Sequence, residues 1–479
     1  MRRAFLVFIP LLLLSGCMMG PDYQRPKVDM PALFRYEPQE AAEMANSTWW
    51  NQFNDPILDQ LIIEALIQNK NVKAAAANIE RAAGALLTSR AALFPQINVN
   101  AAGNRQYLSK NTAVPASDPN PLNNFQIQGS ASWEIDLWGR IRRLAEAARA
   151  NLLAGVEARR GVILSLVAEV AVSYIQLRAL DEQLVIAKST LKAYDESVKL
   201  FELQFKYGQI SQIVVEQART QYQTAAVTIP QIETQITQTE NALSILLGRN
   251  PGPIPRGKPV IELVMPQIPA GLPSQLLERR PDILKAEQSL IAANAQIGAA
   301  KALYFPTISL TAAAGAASEA LSNLFLGPSN TWNYAGSIVG PIFSAGTITG
   351  QVKQAEANQK AVLFAYEQAI QNAFVDMENA LATYRNLRAQ LAAEEKRVAA
   401  YKAYVRLAWL QYQGGYTTYL TVLTAQQQLF PAELSTAQAR AALFIALANI
   451  YKAMGGGWVM EADKKSGWNI SQLRNNVLF

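Results

Sequence analysis

The chain offers little for catalysis and one side chain for covalent modification. It holds 43 Lys and Arg, 37 Asp and Glu, no His and a single Cys, Cys17. Without histidine, Ser-His and Cys-His nucleophile pairs are impossible and the commonest metal ligand is missing. A lone cysteine excludes an internal disulfide and a cysteine metal cluster. Paired carboxylates remain a formal route to acid–base chemistry, but carboxylates mostly sit solvated on helix surfaces. The expectation is a protein that is not an enzyme, with no cofactor and no metal site.

Cys17 stands apart. It follows Leu14-Ser15-Gly16, behind a basic Arg2-Arg3 pair and the apolar run 4–14. Eleven apolar residues are too few to span a bilayer and fit a secretory signal. Leu-Ser-Gly-Cys looks like a bacterial lipobox, in which the thiol is acylated and Cys17 becomes the mature N-terminus. Met18, rather than Asp, follows it, as in lipoproteins sorted to the outer membrane. No later stretch of 18 or more apolar residues stands out, so a further crossing must use β-strands. The formal charge of +6 comes with no basic run, which gives no reason to expect nucleic acid.

The elements that must position any site are written twice. Leu93-Phe94-Pro95-Gln96-Ile97 recurs as Tyr304-Phe305-Pro306-Thr307-Ile308, an offset of 211. Leu203-Gln204-Phe205 with Gly208 recurs as Leu410-Gln411-Tyr412 with Gly415, an offset of 207. The segment between the halves, 249–273, holds seven prolines and cannot be helix. Each half opens with a helix, about 57–93 and 274–304, which Phe-Pro ends. Two strands follow, at about 96–108 and 125–137 in the first half and 306–318 and 331–343 in the second. The pattern over 125–137 is a strict period of two, apolar at Phe125, Ile127, Trp133 and Ile135, and polar at Gln126, Gln128, Ser130 and Ser132. A soluble sheet gives the same pattern; the length and the aromatics Trp133, Trp138, Trp332 and Tyr334 suit a transmembrane strand with a girdle.

Very long helices come next, over 139–207 and 347–413. Their apolar residues step by three and four from Ile163, Leu166 and Val170 to Phe205, and again from Ile370 to Tyr412, as in coiled coils. Glycine-containing turns reverse the chain. Returning helices follow, over 212–247 and 418–454, with Pro230 and Pro431 expected to kink them. Four strands cannot close a barrel, and lipid does not tolerate an open edge. Two copies give a filled barrel and three copies give a lumen.

These residues resemble the TolC family of outer-membrane factors, in its OprM-like, NodT-type lipoprotein branch. The resemblance rests on Cys17 with Gly20-Pro21-Asp22-Tyr23 and Arg25-Pro26, the paired Phe-Pro entries, Asp136-Leu137-Trp138-Gly139, Arg279-Arg280-Pro281-Asp282 and Gly455-Gly456-Gly457-Trp458. It implies a mixed α and β fold: a homotrimeric, 12-stranded transmembrane β-barrel with four strands per chain, continued by a 12-helix coiled-coil periplasmic barrel. On that plan 1–16 is the signal peptide, 17–56 the lipidated N-terminus and equatorial segment, 57–248 and 274–454 the two repeats, 249–273 an equatorial linker and 455–479 an equatorial tail. The implied partners are a periplasmic adaptor, an inner-membrane pump of the RND type and outer-membrane lipid. The implied function is the exit duct of a tripartite efflux system for small molecules. A protein-secretion channel or a lipid-anchored coiled-coil tether are the alternatives.

The resemblance also assigns sites. Adaptor-contacting tips map to Tyr207, Gly208, Gln209, Ile210 and Ser211, and to Gly414, Gly415, Tyr416, Thr417 and Thr418. Gate positions map to Leu420, Thr421, Thr424 and Gln427. Family members often carry aspartate at the positions of Thr421 and Thr424, and arginine at that of Gln427, so a charged ring is not expected here. Glu216 and Arg219, one helical turn apart, fit a tip-region ion pair or an ordinary solvated pair.

Overall fold

A computed structural model of the protein describes residues 18–28, 34, 48–109, 111, 120–265, 268, 278–455 and 458–467. Cys17, the leader, most of the loop before the second strand and part of the linker lie outside them. In chain order the elements are α1 (Pro56–Gln68), α2 (Lys70–Ala91), β1 (Gln96–Gln106), β2 (Leu122–Ile135), α3 (Arg140–Lys206), α4 (Gln212–Leu246), α5 (Pro281–Ala302), β3 (Thr307–Ser318), β4 (Asn330–Val339), α6 (Thr347–Gln413), α7 (Tyr419–Met454) and α8 (Trp458–Lys465). The strands form one antiparallel sheet in the order β1-β2-β3-β4. Helices α3 and α6 are each 67 residues long, about 100 Å at 1.5 Å per residue. From Ile163 to Phe201 and from Ile370 to Tyr412, the heptad residues face inward, buried or half-buried; Phe205 does not. One window of α3 is long and apolar enough for a membrane helix, but most of it is buried in the protein.

The strand ends have local causes. The second strand stops at Ile135 rather than Leu137 because Asp136 caps α3. Its carboxylate accepts from the Ile141 and Arg142 backbone N–H groups at 3.0 and 2.9 Å, two of the donors that a helix start leaves unpaired. The fourth strand stops at Val339 rather than 343, just ahead of Gly340-Pro341; proline has no N–H for a ladder.

The opening helix is not one helix. It breaks at Asn69, whose extended backbone (ψ 131°) separates α1 from α2. The Asn69 amide oxygen accepts from the Asn71 and Val72 N–H groups at 2.8 and 3.2 Å. Its NH2 group donates to the Leu246 carbonyl, at the end of α4, at 2.8 Å. Opening and returning helices therefore abut end to end alongside α3. The second half repeats the joint with other chemistry: Arg280 donates to the Ala453 carbonyl at 3.0 Å. These partners are the first pair displaced by the same 211 and 207 positions. Gly248 and Gly455 close the two joints with φ of +75° and +62°; a Cβ on Gly248 would lie 2.3 Å from the Gln68 carbonyl oxygen. Helices α4 and α7 run without a break through Pro230 and Pro431.

At the level of this joint, Trp49, Trp50, Phe53, Tyr451 and Trp458 bury one another. Trp49 stacks on Tyr451 at 5.1 Å and meets Trp458 edge-on at 6.2 Å. Buried Asp55 ties the same region together. It accepts from Tyr174 Oη at 2.8 Å and from the Lys258 backbone N–H at 3.1 Å.

Replacing Asn69 by alanine removes a cap and leaves the Leu246 carbonyl without that donor. A loss of roughly 2 kcal/mol is expected, read as a lower temperature for loss of helical circular dichroism. Ile63→Ala, on an exposed face of α1, serves as the control with a small change.

Candidate conduction pathway and gate

The sheet has two chemically different sides, and register sets them. Ile97 faces Ala131, Ile127 faces Ala316, Trp133 faces Leu310 and Ile308 faces Ile338. One face thus collects Ile97, Val99, Phe125, Ile127, Trp133, Leu310, Trp332, Tyr334 and Ile338. Phe125 and Ile127 are half-buried, and the others are exposed within the chain: Ile97, Trp332 and Tyr334 are 76%, 74% and 79% exposed. Apolar side chains in such numbers mark a surface that meets lipid. The opposite face carries Asn98, Asn100, Gln126, Gln128, Ser130, Ser132, Ser309, Thr311, Asn333 and Ser337. Its one charge, Glu134, is held by Arg140 in a two-pronged pair at 2.8 and 2.9 Å. A wall of uncharged hydroxyls and amides holds water without fixing an ion.

The far end of the helices carries both turns. Gly208 and Gly415 take left-handed φ of +69° and +74°. In each turn the next residue's N–H reaches back to the helix, Gln209 to the Gln204 carbonyl and Tyr416 to the Gln411 carbonyl, both at 2.9 Å. This is the Schellman closure, and glycine is required at both positions. Ser211 caps α4 through its hydroxyl, which accepts from Ile213 N–H at 3.3 Å; Thr418 begins α7 without a side-chain cap. Tyr207 and Tyr416 are 70% and 87% exposed, and Gly208, Gln209, Gly414, Gly415 and Thr418 are exposed with them, while Ile210 and Thr417 are half-buried.

Leu420, Thr424 and Gln427 share one exposed face of α7, opposite the buried Val422, Leu423, Ala425 and Gln426. Gln428, Pro431, Ser435 and Gln438 are also exposed along α7 without a charge. Thr421 is drawn away to Thr417, their hydroxyls 2.7 Å apart. Glu216 and Arg219 do pair, at 2.9 Å, but Arg219 also holds Glu202 of α3 at 2.7 Å. The arginine therefore bridges the two helices of one hairpin. All three groups are about half exposed, and such pairs contribute little to stability.

A stronger tie was not evident from sequence. Phe201 of α3 meets Tyr419 of α7 edge-on at 4.6 Å, and Trp409 and Tyr412 of α6 surround both. This cluster joins the two helical hairpins just inside their tips. Burial, then the nearby Tyr194 and Tyr412, pushes the Tyr419 phenol well above its usual range, so it stays neutral. Gln426, buried between Tyr194 and Tyr419, accepts from both at 3.5 Å. The available signal was Phe201 and Tyr412 on matching heptad seams, with Tyr419 just beyond the turn; its partners depend on how the hairpins meet.

Among the described residues, no cluster of His, Cys, Asp and Glu could hold a metal ion. A cleft of about 550 Å³ lies beside Arg280, but Arg280 is already paired with Asp282 and Asp376 at 2.7 and 2.9 Å.

A sheet with a lipid face and a polar face, carried on helices about 100 Å long, defines an outer-membrane channel extended into the periplasm. The sequence model of the outer membrane efflux protein family matches residues 61–249 and 272–456, and the chain belongs to that family. It is 36% identical over 459 residues to the toluene efflux pump outer membrane protein TtgC of Pseudomonas putida, covering 94% of each chain. It is also 36% identical over 459 residues to the cation efflux system protein CusC of Escherichia coli, covering 95% of this chain and 98% of that one. The open-state MtrE outer membrane channel of Neisseria gonorrhoeae superposes with a TM-score of 0.83 at 33% identity, over 92% of this chain and 99% of that one. The fold is that of the trimeric TolC-family channels.

The two ties at the tip lead to different expectations. Tyr419→Ala opens the cluster between the hairpins and should raise uptake of a large hydrophilic antibiotic several-fold in whole cells. Arg219→Ala removes only exposed pairs and should stay within about twofold of the parent. Greater leakage from Arg219→Ala than from Tyr419→Ala would assign the closure to the ion pairs.

Proposed function

We propose that three copies of the chain form a continuous water-filled duct, the exit channel of a tripartite efflux system. A periplasmic adaptor and an inner-membrane pump, of the proton-driven RND type, deliver small molecules to the tips, and the duct conducts them passively. The observation that carries this reading is the two-sided sheet with uncharged hydroxyls and amides on its inner face, continued by an uncharged stripe on α7. Such a lining offers water contacts and no strong binding site, so selection falls to the pump. The relatives named for toluene and cation efflux support small solutes as cargo. The tips at 207–211 and 414–418 receive the adaptor, and Leu420, with Thr424 and Gln427 on the same exposed face of α7, narrows the resting tunnel. Cys17 carries acyl chains that add an anchor to one the barrel already supplies.

Deleting the gene should raise retention of one or more compounds in a panel of dyes, antibiotics, solvents and metal ions. The intact gene should restore export, and a variant lacking 414–418 should not, although it reaches the membrane. Unchanged retention together with a secreted protein missing from the medium would replace small-molecule efflux with protein secretion. A Cys17→Ser form exported by a non-lipoprotein leader should retain at least half of the export activity, measured as residual dye in the cells.

A further inference from the structure

The connection between β3 and β4 lies at the end of the sheet away from the helices, because α5 leads into β3 and β4 leads into α6. In an outer-membrane barrel that end faces the outside of the cell. The other outward connection, 109–121, is composed for water, with Lys110, Asp118, three prolines and no apolar side chain larger than Val114. The connection 319–329 is composed differently. It holds Leu321, Leu324, Phe325 and Leu326, and its single charge is Glu319.

This connection is folded with its polar groups inward. Two short 3-10 turns, Leu321–Asn323 and Gly327–Ser329, shape it. The Leu324 N–H donates to the Leu321 carbonyl at 3.3 Å, Leu326 to Asn323 at 3.1 Å and Ser329 to Leu326 at 3.0 Å. The Ser329 hydroxyl donates to the Asn323 carbonyl at 2.8 Å, and the Ser318 hydroxyl accepts from the Ala320 N–H at 3.3 Å. Hydroxyls thus serve the loop's own backbone, while Leu321, Phe325 and Leu326 are 63%, 78% and 54% exposed. That is the reverse of a loop made for water.

Burial on the sheet tells which way the loop leans. Ala316 shares the apolar face with its partner Ile127, and it is 6% exposed. Ala312 and Ala314, lower on the same face, are exposed. On the polar face Ala313, Gly315 and Ala317 are all half-buried, so cover is added at the top of the apolar side alone. Leu324 is as buried as Ala316, and the turn at Gly327–Ser329 lies against β3. Directly after the loop, on that same side, Trp332 and Tyr334 stack with ring centres 5.9 Å apart, as a girdle at the lipid boundary does.

We infer that the β3–β4 connection is a membrane-contacting wedge, whose Leu321, Phe325 and Leu326 reach the acyl chains of the outer leaflet from just above the Trp332–Tyr334 girdle. The backbone stays at headgroup level, where irregular structure is tolerated, and only side chains enter hydrocarbon, as on the apolar face of an interfacial helix. The occupant is lipid because the loop continues the one face of the sheet that already meets lipid. This placement does not depend on what the channel conducts.

Nitroxide labels in the full-length protein, reconstituted in phosphatidylcholine vesicles, test it. Cys17 is the chain's single cysteine, and on the reading above its thiol is acylated, so the unsubstituted protein reports the background. Labels at Leu321→Cys, Phe325→Cys and Leu326→Cys should collide several-fold more with oxygen, which concentrates in hydrocarbon, than with a water-soluble nickel chelate. A label at Ala314→Cys, on the apolar sheet face, should do the same, and one at Asn111→Cys, in the other connection, should show the reverse. Adding Phe325→Glu should shift the Leu321→Cys label toward nickel. Nickel preference at all three loop positions would overturn the wedge. Immobile labels reached by neither reagent would overturn it as well, and would seat the loop against a second copy or in the barrel mouth. Nickel preference at Ala314→Cys too would overturn the lipid-facing reading of the sheet itself.

Discussion

Backbone hydrogen bonding in hydrocarbon is the constraint from which the rest follows. A peptide group without a partner costs several kcal/mol in lipid, and the described residues form one sheet of four strands with two open edges. Neither edge is blunted by a charge or a proline inside the strand, apart from Arg105 near the end of β1. Edges of soluble sheets are ordinarily protected in such ways. Here they are left competent to pair, which makes closure by further strands a requirement of the membrane rather than an option.

The helical part answers a different problem, how to keep a long wall straight using helices of unequal length. Two 67-residue helices each need a partner along their whole length, and no returning helix is long enough. The chain solves this by butting an opening helix against a returning one. The joint must satisfy helix-end carbonyls and donors that would otherwise be buried unpaired. Asn69 does so as a neutral cap and donor, Arg280 as a charged donor that also collects Asp282 and Asp376. The same geometry has two chemical solutions, and each depends on a glycine in the left-handed region. The joints lie close to the aromatic box of Trp49, Tyr451 and Trp458, whose rings are buried against one another. The tips are held by the Phe201–Tyr419 cluster and by exposed ion pairs.

The legibility of these features follows from the range of the interactions involved. The long helices were visible because heptads repeat locally, and α6 occupies the expected span, 347–413. The tip turns were visible because only glycine enters the left-handed region without strain. The break at Asn69 was missed because apolar periodicity continues across it; what ends α1 is a contact to a carbonyl 177 positions away. The ends of β2 and β4 were overrun by two and four residues for a related reason. Alternation continues past Ile135, but Asp136 is taken by the helix it caps. Glu216 with Arg219 was legible from spacing on one helix, whereas Glu202 enters only because α3 lies beside α4.

By itself the sequence determined that the chain is doubled, that its strands have one apolar side, that its helices pack by heptads and that histidine-based chemistry is absent. These are properties of residue type and short-range spacing, and they are present before the chain folds. Tertiary structure alone decided which faces coincide across the sheet, which helix ends meet, and that Thr421 turns toward Thr417 while Leu420, Thr424 and Gln427 remain exposed on α7. It also decided that aromatic contacts rather than charge join the tips. Each of these depends on partners from distant segments, whose positions are set by packing and register and not by any local pattern.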